Sequence, residues 1–192
     1  MTSAGELAWR IRTFGRRLVR RARAQVHARR SAVDMGTGIQ IGRGCRLILE
    51  PGAKLALGDR VEVDDFTTLA VYRGAALEIG AGCFVGHHCT LAAKDHISIG
   101  DGTYLAEMVS VRDHDHEMEH VPSTGLMRTA AVHVGRDVWL AAKVTVTSGI
   151  EIGDSTVVGA NAVVTRSLES GVVAAGIPAE ILRPTRPPTG DT

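Results

Sequence analysis

The chain has 192 residues and a formal net charge of +1, a length that suits one domain with a sizeable core. No apolar stretch is long enough to cross a bilayer as a helix. Three cysteines, Cys45, Cys83 and Cys89, lack paired metal-ligand spacing. This argues against a disulfide framework and predicts a reducing, cytoplasmic environment with the thiols as small interior residues.

Residues 1–35 form the first predicted unit, a short basic helix. The first thirty residues hold nine Arg and one acid, and Leu7, Ile11 and Phe14 recur at helical spacing. We therefore predict an amphipathic helix over residues 6–29. Its apolar stripe either caps an open end of the fold or lies on an anionic membrane surface. An Arg-rich start also resembles a transit peptide, and no nucleic-acid-binding motif accompanies it.

A six-residue repeat runs through residues 57–165. Aliphatic residues, followed mostly by Gly, Ala or Asp, recur in five groups of three. The groups are Leu57, Val63, Leu69; Ile79, Val85, Leu91; Ile99, Leu105, Val111; Val134, Leu140, Val146; and Ile152, Val158, Val164. A short fixed period with one buried aliphatic per unit predicts a mainly β fold, a parallel β-helix whose stacked coils share one core.

The insertions between these groups indicate a three-sided prism. The step between groups is ten, eight, twenty-three and six residues, so every insertion follows a third hexad and leaves from one corner. The predicted β-helix domain covers residues 36–183, with an earlier, less regular coil near Ile41 and Leu47. It carries one long protruding loop, residues 112–133. The Pro-rich residues 184–192 are predicted to be a disordered tail.

The protruding loop contains three histidines, His114, His116 and His120. A histidine titrates near neutral pH, so it can accept the proton of a hydroxyl group during acyl transfer. A nearby carboxylate can fix its tautomer and orientation. Three residues are candidates for that role: Asp95, Asp113 and Asp115. The alternative is a solvated polar loop, but function is commonly carried by the long insertion of a repetitive scaffold.

The stacking of coils also predicts which polar residues are neighbours. The segment Lys94-Asp95-His96 is expected one rung below His114-Asp115-His116. Trp139 lies between two inward aliphatic residues and should point outward, into a subunit interface or against a ligand. His87 and His88 fall at another corner, beneath Glu107, where they hold an acceptor hydroxyl or decorate a turn.

The C-terminal third carries the most specific motifs. They are Val134-Gly-Arg-Asp-Val-Trp-Leu140, Gly149-Ile-Glu-Ile-Gly-Asp154, Val157-Val-Gly-Ala-Asn-Ala-Val-Val-Thr165 and Gly176-Ile-Pro-Ala179. These segments resemble the hexapeptide-repeat acyltransferases, of the maltose, galactoside and nodulation-factor O-acetyltransferase type. The resemblance covers about residues 40–183. It implies a left-handed parallel β-helix, a homotrimer, and acetyl-CoA bound in grooves between subunits, with no metal.

The same resemblance implies roles for individual residues. The catalytic base of the family falls on His116, with His114 as the second choice. The acidic acceptor-binding residue matches Asp95, and a neighbouring polar contact falls on or near His87. The family Trp matches Trp139, and the implied acceptor is a sugar hydroxyl.

The expected contacts to acetyl-CoA are placed by position within the motifs. They fall on Ala142, Ala160, Thr165, Arg166 and Arg183, the two arginines being suited to coenzyme phosphates. The family's larger N-terminal region is replaced here by the short basic helix, so the resemblance does not identify the acceptor.

Two other functions are compatible with the histidines. A trimeric β-helix similar to the γ-type carbonic anhydrases would bind zinc through three histidines across a subunit boundary, here His87 or His88 with His116 and His120. A non-catalytic scaffold would bind neither coenzyme nor metal. No Gly-x-Ser-x-Gly motif is present, so a covalent acyl-enzyme is not expected.

Overall fold

The computed structural model describes residues 32–117 and 125–185. The predicted basic helix, His120 and residues 186–192 lie outside the described part of the chain. Within that part, no helix is long and apolar enough to cross a membrane. The described residues instead form a left-handed parallel β-helix of about six coils, which confirms the predicted fold class.

Successive coils stack their strands in parallel in three sheets, which are numbered here in the order in which the chain visits them; the second sheet also contains the antiparallel strand β22. The first sheet consists of β1 (Ala32–Met35), β4 (Lys54–Leu57), β7 (Ala76–Ile79), β10 (His96–Ile99), β15 (Val132–Val134) and β18 (Glu151–Ile152). The second sheet consists of β2 (Gln40–Ile41), β5 (Glu62–Val63), β8 (Phe84–Val85), β11 (Tyr104–Leu105), β16 (Trp139–Leu140), β19 (Val157–Val158), β21 (Val172–Ala175) and β22 (Glu180–Pro184). The third sheet consists of β3 (Arg46–Leu49), β6 (Thr68–Val71), β9 (Thr90–Ala93), β12 (Ser110–Arg112), β17 (Thr145–Val146) and β20 (Val163–Val164).

The predicted hexad aliphatics form the core. All fifteen are buried and align in register, so that Leu69 pairs with Leu91 and Val111 with Val146. Because one aliphatic per hexad points inward, each layer of the core is completed only by the coils above and below it. The earlier coil is also present, with Ile41 buried and Leu47 packed against the core from the rim.

The three corners of the prism differ in backbone geometry. We call them the first corner (between the first and second sheets, as at Asp59), the second corner (between the second and third sheets, as at His88) and the third corner (from the third sheet to the next coil, as at Lys94). At the first and second corners non-glycine residues adopt positive φ, for example Arg60 at 58° and His88 at 57°. At the third corner the described residues with positive φ are glycines, such as Gly52 and Gly74.

The cysteines have the interior role expected of them. Cys83 and Cys89 are buried, Cys45 is partly buried, and none of the three forms a disulfide. Burial raises the pKa of Cys83 to about 11 and that of Cys89 to about 12. Their thiols donate to backbone oxygens of the next coil, as the Thr67 hydroxyl does to Gly86 O at 2.7 Å.

Three boundaries differ from the sequence prediction. β1 pairs with β4, so residues 32–35, which the sequence prediction gave to the first unit, belong to the β-helix. The protruding loop starts as an antiparallel hairpin of β13 (His114–His116) and β14 (Met127–Thr129), and its last residues enter β15. β22 turns back antiparallel to β21 and extends to Pro184. Hexad periodicity cannot predict antiparallel pairing, because neither hairpin follows the repeat.

Candidate active site

The candidate site lies at the third corner, where the chain leaves the column after β12. Asp113 is fully buried there. Its carboxylate accepts two bonds from the Lys94 N–H, at 2.8 and 3.0 Å, and one from the Asp95 N–H at 2.7 Å. A buried carboxylate is tolerated because donors of the preceding coil satisfy it. The repeat therefore supplies a fixed negative group at the base of the hairpin.

His114 is oriented by that carboxylate. Its Nδ1 lies 3.0 Å from Asp113 Oδ1, and only 7% of its side chain is exposed. Its ring meets the Tyr72 ring edge-on, with centroids 5.8 Å apart. An ionised carboxylate only accepts hydrogen bonds, so in the neutral imidazole that pairs with it Nδ1 is the donor and Nε2 the acceptor. This arrangement suits a general base.

His116 is placed differently. It is exposed, and its backbone N–H donates to Asp115 Oδ1 at 2.9 Å. No described residue forms a hydrogen bond or an ion pair with its imidazole. The structure therefore brings His114, rather than His116, together with an orienting carboxylate.

The predicted stacking of residues 94–96 on residues 114–116 is correct for Lys94 and His114 and wrong for His96 and His116. Arg112 pairs with Ala92, so His114 follows in the rung of Lys94. His96, however, enters β10 and pairs with Ala76, while His116 turns into the hairpin. The expected neighbours therefore diverge, because the chain leaves the column after His114.

Asp95 does not orient the histidines. Its side chain is exposed, and only its backbone N–H reaches the site, by donating to Asp113. Of the three candidate carboxylates, Asp113 is the one bonded to an imidazole. The acceptor-binding role of Asp95 stays a prediction, and its exposed carboxylate at the same corner is compatible with it.

His87 and His88 lie at the second corner, away from Asp113. The Met108 N–H donates to His87 O at 3.0 Å and the Lys143 N–H to Glu107 O at 2.9 Å, which is the predicted stacking. The His88 ring stacks on Phe66, with centroids 5.2 Å apart. Within one chain these histidines and His114 occupy different corners.

Trp139 points outward, as predicted, with 49% of its surface exposed. It pairs with Tyr104, which pairs in turn with Phe84. The Phe84 and Tyr104 rings are stacked, with centroids 4.6 Å apart. This outward aromatic row on the second sheet was missed, although all three residues directly precede a core aliphatic and share one hexad position.

The expected coenzyme residues are all at the surface and fall into three places. Ala142 is half-buried at the second corner, and its carbonyl oxygen accepts the Asn161 N–H at 2.9 Å. Ala160 lies at the same corner one coil later and is exposed. The remaining members lie elsewhere: Thr165 and Arg166 directly after β20, and Arg183 in β22, where its guanidinium donates to Pro184 O. Within one chain these residues therefore lie at different places along the prism.

Two further groups of polar residues surround the third corner. Lys94 Nζ lies over the Tyr72 ring, 4.9 Å from its centroid. On the first sheet Ser98 Oγ lies 2.7 Å from His133 Nδ1, and the His133 ring meets that of His96 edge-on at 5.4 Å. Sequence analysis missed Tyr72, although Tyr72, Lys94 and His114 follow the third strand of three successive coils.

A metal site is not formed by the described residues. Among them, no group of three or more His, Cys, Asp or Glu side chains could hold an ion. His116 and the pair of His87 and His88 belong to different parts of the prism. The third histidine of the zinc alternative, His120, lies outside residues 32–117 and 125–185.

Comparison with known proteins gives concordant matches. The family described as bacterial transferase hexapeptide (six repeats) matches residues 131–166. The galactoside O-acetyltransferase of Escherichia coli strain K12 is 30% identical over 111 residues, which are 57% of this chain and 55% of that protein. The chain thus spans about half the length of this relative.

Two other proteins match over more of their length. WcaF of Escherichia coli strain K12, named for acetyl transfer in colanic acid biosynthesis, is 31% identical over 152 residues, covering 76% of this chain and 69% of WcaF. The N-acyltransferase AntD from Bacillus cereus, solved with dTDP and 3-hydroxybutyryl-CoA, superimposes with a TM-score of 0.73. That match covers 85% of this chain and 88% of AntD at 16% identity, so it shows a common fold.

Proposed function

The chain belongs to the family of hexapeptide-repeat acetyltransferases, and from this premise we propose that it transfers an acetyl group from acetyl-CoA to a sugar hydroxyl. The relatives support the reaction class by their names, and AntD binds an acyl-CoA on the same fold. The reaction on this chain needs a base that can take a proton from a hydroxyl group.

The single observation that carries the proposal is the buried Asp113–His114 pair. A base must hold its lone pair in a fixed direction, and the 3.0 Å contact to Asp113 leaves His114 Nε2 as the acceptor of the proton. His116 was the first choice by position. We assign the base to His114 instead, because His116 is exposed and its ring has no partner among residues 32–117 and 125–185.

The proposed chemistry is a direct transfer. Acetyl-CoA supplies the acetyl group as a thioester. The acceptor oxygen forms the new C–O bond while its proton moves to His114 Nε2, and the C–S bond then breaks. His114 returns the proton to the departing thiolate, so the enzyme ends unchanged. Asp113 stabilises the imidazolium between these two steps without taking the proton.

We propose that the active unit is a homotrimer in which one chain's third corner faces another chain's second corner. Such an arrangement would bring His87 and His88 to the acceptor and Ala142, Ala160, Thr165, Arg166 and Arg183 to the coenzyme. The outward aromatic row is suited to the contact, because exposed rings gain from burial. Thiols that form no disulfide agree with a cytoplasmic location. Residues 6–29 are proposed to cap the open end of the β-helix or to contact a membrane surface.

The test combines coenzyme binding with turnover. Acetyl-CoA is titrated calorimetrically into protein whose zinc content is measured on the same sample, and thiol release is then followed with a panel of sugars. We expect about one coenzyme per subunit, no stoichiometric zinc and sugar-dependent thiol release. Zinc at one per subunit without coenzyme binding would indicate the hydrating metalloenzyme. If the protein bound neither acetyl-CoA nor zinc, the result would indicate the non-catalytic scaffold.

A further inference from the structure

Three side chains line the third corner in successive coils. The Tyr72 N–H donates to Ala93 O at 2.9 Å and Arg112 pairs with Ala92, so Tyr72, Lys94 and His114 occupy equivalent positions. Coils stack roughly 4.8 Å apart, so this row extends about 10 Å along the column. It is longer than one sugar ring, and it begins at the proposed base.

The ammonium of Lys94 is positioned by an aromatic ring, with no carboxylate partner among the residues that the structure describes. It lies 4.9 Å from the centre of the Tyr72 ring, and the side chain is half-buried. Within residues 32–117 and 125–185, no carboxylate lies within 4.0 Å of it. A ring contact positions an ammonium but leaves its hydrogen-bond donors unused.

Two acidic residues of this corner are already engaged. Asp113 accepts the backbone N–H groups of Lys94 and Asp95 and contacts His114. The Glu50 carboxylate accepts the Arg73 N–H at 3.0 Å. Backbone N–H groups therefore hold the Asp113 and Glu50 carboxylates, and the exposed Asp95 carboxylate is not within 4.0 Å of the Lys94 ammonium. Among the described residues, the ammonium stays available beside the base.

We infer that Lys94, supported by Tyr72, is a specificity-determining residue that binds an anionic group of the acceptor, a carboxylate or a phosphate, next to the hydroxyl that is acetylated. This rests on the proposed transferase function and narrows its substrate class to acidic saccharides. A lysine ammonium recognises either anion as a point charge. Three exposed arginines, Arg73, Arg112 and Arg128, add positive charge around the same corner or its hairpin.

The experiment measures kcat/KM by thiol release for matched acceptors: a neutral methyl glycoside, its uronic acid and its sugar phosphate. We expect the wild type to prefer at least one acid over the neutral sugar. Lys94→Met should lower the ratio of acid to neutral kcat/KM about tenfold or more, the effect of one charge-assisted hydrogen bond. Lys94→Arg should keep much of the preference. The uronic acid and the phosphate distinguish the two sources of charge.

The matched control is Lys54→Met, which removes an exposed lysine from β4 and should leave the ratio unchanged. Equal use of acidic and neutral sugars by the wild type would overturn the inference while leaving the transferase intact. The inference would also be overturned if Lys94→Met lowered kcat/KM equally for all acceptors, or if it raised only the KM for acetyl-CoA. That last result would assign Lys94 to the coenzyme.

A binding measurement separates failure of this inference from failure of the proposed function. If no sugar supports thiol release, the transferase proposal fails, and the dissociation constants of glucuronate and methyl glucoside are compared by NMR titration. Tighter glucuronate binding that Lys94→Met abolishes would still support the anion site. Equal binding, or binding that the substitution leaves unchanged, would contradict it.

Discussion

At both the first and the third corner an Asp carboxylate accepts a backbone N–H of the preceding coil, but its surroundings differ. At the first corner Asp59 lies at the surface and accepts the Thr37 N–H at 2.6 Å, and Asp154 accepts the Arg136 N–H at 2.7 Å. At the third corner Asp113 accepts amides of the preceding coil in the same way, but it is buried and also holds an imidazole. The same carboxylate-to-backbone bond joins two coils at both corners. At the third corner the carboxylate is buried and is followed by a buried histidine, so it also orients an imidazole.

The largest expected effect is that of Asp113→Asn on turnover. Asn presents an NH₂ on one side, so it cannot accept from both backbone amides and from His114 Nδ1. We expect thiol release to fall about a hundredfold, the lower range for loss of an effective general base. Circular dichroism and thermal unfolding would check that the β-helix is still formed.

Asp154→Asn is the matched control for that substitution. It alters the equivalent bond at the first corner, where the residue is exposed, and should leave turnover close to wild type. If both variants lost activity equally, the loss would reflect the column as a whole. The distinction between the two corners would then be wrong.

The second expected effect concerns the interior of the first corner. The buried Thr103 hydroxyl donates to Gly135 O at 2.8 Å and accepts the Val138 N–H at 3.2 Å. Thr103→Val leaves both groups without that partner, and we expect a loss of about 1–3 kcal/mol in the free energy of unfolding. Urea unfolding measures it, with Thr103→Ser as the variant that keeps the hydroxyl. Equal stability of the valine and serine variants would contradict the role of this bond.

The smallest effect is a pH dependence at the surface. The N–H and hydroxyl of Thr37 donate to Asp59 and lower its pKa below the ordinary 3.8. A carboxyl whose pKa is lowered on folding stabilises the fold above its unfolded pKa and loses that contribution as pH falls through the folded value. The stability advantage of wild type over Asp59→Asn should therefore shrink below about pH 3.8. An advantage that grew on acidification would refute this.

Sequence alone predicted the column because one inward aliphatic per hexad recurs three times in each of the five groups, and the insertions fall only between groups. Val63 and Val85, for example, are both fully buried in the second sheet. The same periodicity gave the second-corner stacking of His87 beneath Glu107 and the outward direction of Trp139. Each of these follows from position within a hexad, which is a local property.

Less of the geometry of the candidate site could be predicted, because the site starts where the repeat stops. The Asp113 carboxylate is held by N–H groups of the preceding coil, and no local sequence pattern predicts such a contact. From the sequence, Asp95 and Asp113 were therefore equally good candidates for the group that orients a histidine. His116 was preferred by counting along a strand that in fact ends at Arg112 before a hairpin. Tyr72 and Lys94 required the stacking of three coils to be recognised as neighbours of His114.

The central claim is that His114, oriented by Asp113, is the base. The most direct measurement compares thiol release from acetyl-CoA by His114→Ala and His116→Ala at saturating acceptor, with coenzyme affinity measured by calorimetry. We expect His114→Ala to lose at least about a hundredfold in kcat with nearly unchanged coenzyme affinity, and His116→Ala to stay within a few fold of wild type. Survival of turnover in His114→Ala together with its loss in His116→Ala would contradict the account.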